Sequence, residues 1–213
     1  MRFQIAAQSM VDPMPVILTV PDFNAAAREI SLRFKRNPPK APLIRIEGFC
    51  GSGKTSIARR LVSLIGGHHI EGDQFASKHN DPPPYPDCIR RNELDDAIEH
   101  ALETESPLIL DAVCLAEVAP VERWGRGLVV YVKQLSFNNP HDPLWHDGLS
   151  LEGDPPDDQP HRSVHIYHLK MRPHEIADLI IEVPHELHRL PSEPFSREGC
   201  FDPPNSTVSS LES

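Results

Sequence analysis

The tightest constraint on this chain is the octapeptide Gly48-Phe49-Cys50-Gly51-Ser52-Gly53-Lys54-Thr55. It satisfies G-x-x-x-x-G-K-[ST] at every fixed position. Glycines at this spacing let the backbone close into a concave ring whose N–H groups point inward, where side chains would block an anion. The β-rich run Leu43-Ile44-Arg45-Ile46-Glu47 precedes the ring, and the helical stretch Thr55–Ile65 follows it. A helix amino terminus therefore faces the ring, and its partial positive charge favours anions. Lys54 adds a full charge for terminal phosphates, and Thr55 offers a hydroxyl to Mg²⁺. Gly48 through Ser56 is expected to hold the phosphates of a nucleoside triphosphate. A chance glycine-rich turn would lack the strand before and the helix after.

The rest of the chain continues that alternation. Asp22 can cap a helix whose apolar side carries Phe23, Ala26, Ala27, Ile30 and Phe34, ended by Asn37-Pro38-Pro39. His68–Glu71, Leu108–Leu110, Leu128–Val132 and Ile176–Val183 read as strands; Ile89–Leu102 and Pro160–Met171 read as helices. Such an order argues for an α/β fold, a parallel sheet with helices on both faces in three layers. The chain has 213 residues, the size of one domain. Residues 22–186 are expected to form it, with an irregular segment at 1–21 and a proline- and serine-rich disordered tail at 187–213. Within the domain, residues 134–163 have little periodicity and read as a lid-like loop.

Charge and composition exclude several functions. Net charge is −10 with histidines neutral, so the surface repels nucleic-acid backbones and no nucleic-acid partner is expected. A local nest of amides still outweighs that distant field for a small anion. No stretch approaches the roughly 20 apolar residues of a membrane helix, and Met1–Ser9 lacks the pattern of a signal peptide. Cys50, Cys88, Cys114 and Cys200 show no metal-ligand or redox spacing. Cytoplasm with free thiols is the expected setting.

A phosphate loop alone does no chemistry, and two aspartates are placed to complete a site. Asp111 ends an aliphatic strand, the position of a carboxylate that holds Mg²⁺ through water. Asp73 follows Ile70-Glu71-Gly72 and is placed to activate an acceptor hydroxyl. In an open α/β sheet both lie beyond the carboxyl ends of the strands, beside the loop. Each can alternatively be a turn residue at a strand end.

Taken together, Gly48–Thr55, Ile70-Glu71-Gly72-Asp73-Gln74-Phe75, Leu108–Leu115 and Tyr167 through Ile181 resemble the uridine kinase-like branch of small-molecule P-loop kinases. The resemblance covers about residues 41–183. It implies the P-loop NTPase fold with a five-stranded parallel sheet, and transfer of the γ-phosphoryl of ATP, with Mg²⁺, to a hydroxyl of a small molecule. It places Asp73 as base, Lys54 on the transferring group, and Phe75, Tyr85, Arg90 and Arg91 around the acceptor. Such kinases carry several lid arginines, whereas Asn138–Arg162 holds only Arg162. Arg162 reads equally as a lone lid arginine acting in catalysis or as a solvated surface charge. A thin lid keeps a second function open, a nucleotide-binding regulatory protein or degenerate kinase without transferase activity. A P-loop ATPase acting on a macromolecule is a third and weaker reading.

His161, His165 and His168 recur at helical spacing, but no carboxylate or thiolate completes a ligand set, so structural histidines are expected. His68 and His69 flank a strand start. Cys50 sits at a helix amino terminus, which can lower a thiol pKa, yet loop packing is the expected role. Neither the acceptor nor the oligomeric state is written in the sequence.

Overall fold

The computed structural model describes residues 14–77, 83–136, 144–145, 155 and 157–184. Its elements run β1 (Val16–Thr19), α1 (Phe23–Arg36), β2 (Leu43–Gly48), α2 (Lys54–Ile65), β3 (His68–Glu71), a 3₁₀ turn at Gly72–Phe75, α3 (Arg91–Leu102), β4 (Leu108–Ala112), α4 (Leu115–Val118), α5 (Val121–Trp124), β5 (Leu128–Ser136), β6 (Leu144–Trp145), α6 (His161–Met171), α7 (Pro173–Ile176) and β7 (Leu179–Pro184). The sheet order is β1-β7-β5-β2-β4-β3, all neighbours parallel, with β6 antiparallel on the end of β5.

Strand alternation divides the apolar side chains between two faces. Ile44 and Ile46 of β2, Ile109 of β4, Val130 and Val132 of β5, and Leu179 and Ile181 of β7 pack against α1 and α2. Leu43 of β2 and Leu108, Leu110 and Ala112 of β4 turn the other way, toward Leu94 and Ile98 of α3 and Val164 and Tyr167 of α6. Parallel strands covered on both faces become continuous apolar runs, as in β4, buried at all five positions. The β2 strand sits between β4 and β5, so its carboxyl end opens at the middle of the sheet. No helix among the described residues is long and apolar enough to cross a membrane.

The sheet has six parallel strands where five were expected. The additional one is β1, inside the segment expected to be irregular. Val16–Thr19 lies along the edge strand β7 in the register Val16↔Leu179 to Thr19↔Glu182, extended by Val20 N–H donating to Glu182 O at 2.9 Å. Its own residues carry little signal: Val16 and Ile17 are exposed, and prolines bracket the strand. The open edge of β7 supplies the hydrogen bonds that make it a strand. A second difference is Ile176, expected at the start of the last strand. Pro173 instead opens the short helix α7 at its first position, where a missing N–H costs nothing, and Ile176 ends it. The expected tail at 187–213, and of the lid residues 137–143, 146–154 and 156, lie outside the described residues.

Candidate active site

The ring leaves β2 at Gly48 and enters α2 at Lys54. Gly53, at the junction, has φ +91°, and a Cβ there would lie 2.3 Å from the Phe23 ring of α1. Only glycine allows both that backbone and that approach. Lys54 is 5% exposed, and its Nζ donates to the loop's own Phe49 O at 2.7 Å. Ser52 Oγ is buried without a hydrogen-bond partner among the described residues. A folded-back ammonium and an orphaned hydroxyl in one ring leave donor capacity that an anion would use.

The first residues of α2 meet the carboxyl ends of β3 and β4. Thr55 Oγ1 donates to Asp111 Oδ2 at 2.7 Å, with Glu71 Oε1 3.3 Å away. Asp111 is 1% exposed, and its other oxygen, Oδ1, hydrogen-bonds His69 Nε2. Glu71 Oε2 accepts from Gln74 Nε2 at 2.9 Å and pairs with Arg59 at 3.3 Å. One hydroxyl and two carboxylates from three elements thus converge. Hard oxygen donors of this kind suit Mg²⁺, which binds through one or two carboxylates and keeps several waters. The described residues include no cluster of three His, Cys, Asp or Glu side chains that would enclose an ion by themselves. The donors fit a hydrated Mg²⁺ shared with phosphate oxygens, with Thr55 and Asp111 as holders.

Asp73 lies in the 3₁₀ turn just beyond β3. Its Oδ1 accepts from the Tyr85 hydroxyl at 2.8 Å, and Val113 N–H also bonds the carboxylate. Burial pushes its pKa up to about 6, against the Lys54 charge and these donors, which pull it down. Tyr85 is buried and its own pKa is raised, first by burial and then by the Asp73 charge, so it stays a donor. Tyr85 N–H donates to Ser163 Oγ at 2.8 Å, which brings the start of α6 beside the pair. Burial also raises the Cys88 thiol to about 11 and raises Cys114, so both are protonated packing groups.

Other expected residues are placed less directly. Phe49 stacks on His168 of α6 with ring centroids 3.8 Å apart. Cys50 and Phe75 are partly buried against the core shared with α3 and α6. Ser56 turns its carbonyl to Arg60 Nη1 at 2.8 Å. Arg90 donates to Ala76 O at 3.0 Å and pairs with Glu93 at 2.9 Å; Arg91 donates to Val118 O at 2.7 Å. Both arginines brace the turn and helix around the site. Arg162 lies on α6 next to Ser163 and forms an ion pair with Asp157 at 3.8 Å.

Sequence reasoning passed over four residues here. None of them has a site role in the sequence reading: Glu47 and His69 read as strand residues, His168 as a structural histidine, and Tyr167 only as the start of a stretch that carries the family resemblance. The available signal was Glu47 itself, a carboxylate beside the ring in a strand otherwise fit to be buried on both faces. No protein-family model matches the chain, and no curated protein aligns with it significantly.

Proposed function

We propose that the chain has the P-loop NTPase fold and is an ATP-dependent kinase that phosphorylates a hydroxyl of a small molecule. The observation that carries this reading is the chain of contacts from the ring to the sheet. Thr55 bonds Asp111 on the neighbouring strand, while Lys54 lies close enough to Asp73 to pull its pKa down. The phosphate-holding and proton-accepting groups therefore share one space beyond β2, β3 and β4.

In this mechanism the ring amides and Lys54 hold the β- and γ-phosphates, and Lys54 exchanges Phe49 O for a phosphate oxygen. Thr55 and Asp111 would hold Mg²⁺, which would supply charge neutralisation for the transferring group. The acceptor hydroxyl gives its proton to Asp73 as its oxygen bonds the γ-phosphorus and the bond to ADP breaks. Tyr85 aims the carboxylate. A base with a pKa of about 6 is ionised at neutral pH and stronger than an ordinary aspartate. Phosphoryl transfer needs chiefly positioning and electrostatics, so this short set of groups suffices. A cytoplasmic setting accords with the free thiols of Cys88 and Cys114.

The test is calorimetry with Mg-ATP, followed by an acceptor screen over sugars, nucleosides and vitamins that reads ADP release. Lys54→Ala is expected to abolish nucleotide binding. Asp73→Asn is expected to bind ATP as wild type does and to lower transfer at least 100-fold, the range of a lost general base. Undiminished turnover in Asp73→Asn would remove Asp73 from the mechanism. Binding with no acceptor that stimulates turnover would favour a regulatory nucleotide-binding protein, which the pairing of Arg162 with Asp157 also fits.

A further inference from the structure

Glu47 is the last side chain of β2 before the ring, and it is 4% exposed. It faces away from Asp111, whose register partner Ile46 points to the α2 side of the sheet. Three elements converge on its carboxylate. Leu115 N–H, at the start of α4, donates to Oε1 at 3.0 Å. The Tyr167 hydroxyl of α6 hydrogen-bonds the same carboxylate and accepts from Ala116 N–H at 3.2 Å. Arg45 and Lys54 act on it as positive charges. The Cys114 thiol and Tyr131, its register partner on β5, are further titratable neighbours among the described residues.

Arg45, the larger of the two charges, is fixed in place and keeps its charge, its guanidinium donating to Gly125 O at 3.1 Å and to Ala119 O. Lys54 is the charge whose field a ligand can cancel. A buried carboxyl that loses part of the positive field around it binds a proton more readily. We propose that Glu47 is the positioning residue of the phosphate loop, tying its root strand to α4 and α6 and binding a proton when a polyphosphate neutralises Lys54. This rests on the phosphate-loop reading above and adds a linked proton to it. Burial already raises the Glu47 pKa to about 7, so the loss of Lys54's field acts where neutral pH can register it. Protonation at that moment keeps α4 and α6 docked on β2 without leaving a bare carboxylate beside the bound phosphates.

The experiment uses the full chain carrying Asp73→Asn, which removes a second carboxyl on which Lys54 acts. A non-hydrolysable ATP analogue with Mg²⁺ is titrated at pH 7 in two buffers of different ionisation enthalpy. The expected result is net proton uptake by the protein, at most about half a proton per nucleotide, after correction for the analogue's own ionisation. Adding Glu47→Gln should remove that uptake. Tyr167→Phe withdraws a donor that favours the ionised form, so it should move the pH of greatest uptake upward; this second variant serves if Glu47→Gln does not fold. Uptake that persists in Glu47→Gln, or a profile unmoved in Tyr167→Phe, overturns the role of Glu47. Binding with no proton uptake overturns it as well. An absence of any nucleotide heat overturns the phosphate-loop reading itself.

Discussion

Gly53 shows how much of a ring's shape can rest on one missing side chain. Its φ of +91° is foreign to L-residues, and the Phe23 ring occupies the place of a Cβ. Gly51 shares the left-handed backbone, with φ +74°, but has nothing within 4 Å of a Cβ. The two positions therefore separate strain from steric conflict. Gly51→Ala should cost about 1–2 kcal/mol of strain alone. Gly53→Ala should cost about 1–3 kcal/mol more, the usual penalty for overpacking, and should also weaken nucleotide binding by tilting the start of α2. Urea unfolding of the pair reads the difference; equal losses would mean that Phe23 moves aside freely.

Among the elements, α1 has the clearest local cause. Asp22 accepts Ala25 N–H at 2.7 Å, and Ala26, Ala27 and Ile30 are fully buried against β5 and β7 and against α2. The last turn carries Arg33, Lys35 and Arg36, which suit the negative end of the helix. Because Phe23 is its first residue and abuts Gly53, the cap of α1 also fixes a wall of the glycine ring. Asp22→Ala is expected to cost about 1 kcal/mol, with Asp22→Asn close to wild type. The same alanine variant should weaken nucleotide affinity two- to fivefold in calorimetry. A stability loss with unchanged affinity would show that Phe23 keeps its place without the cap. The β1 strand is the opposite case, since its pairing comes from β7 and its pattern alone does not announce it.

At the scale of the molecule, buried ionisable groups set how stability follows pH. His168 is fully buried, donates its Nδ1–H to Val164 O at 2.8 Å, and has its pKa lowered to about 3 by burial. A histidine whose folded pKa lies below its unfolded value contributes stability above about pH 6.5 and loses it as pH falls toward 3. Glu47 and Asp73 have the contrary sign, since their pKa values are raised to about 7 and about 6. Their cost to folding appears as pH rises from about 4 through those values. His168→Phe keeps a ring against Phe49 and removes the acid-labile group. Relative to wild type it should gain on the order of 4–5 kcal/mol between pH 7 and pH 3, seen as crossing acid-denaturation curves. Parallel curves would place the acid lability elsewhere. By itself the sequence determined the glycine ring between β2 and α2, the cap of α1, the strand–helix alternation and the adjacency of Asp73 and Asp111 to the ring. Each of these is written in residues a few places apart, where backbone stereochemistry and periodicity act locally. The tertiary structure alone decided the sixth parallel strand, the bracing roles of Arg90 and Arg91, the His69–Asp111 contact, and the burial of Glu47 beneath Tyr167. Those depend on which surfaces meet across the sheet, and burial and pairing between distant segments leave no periodic trace in either one.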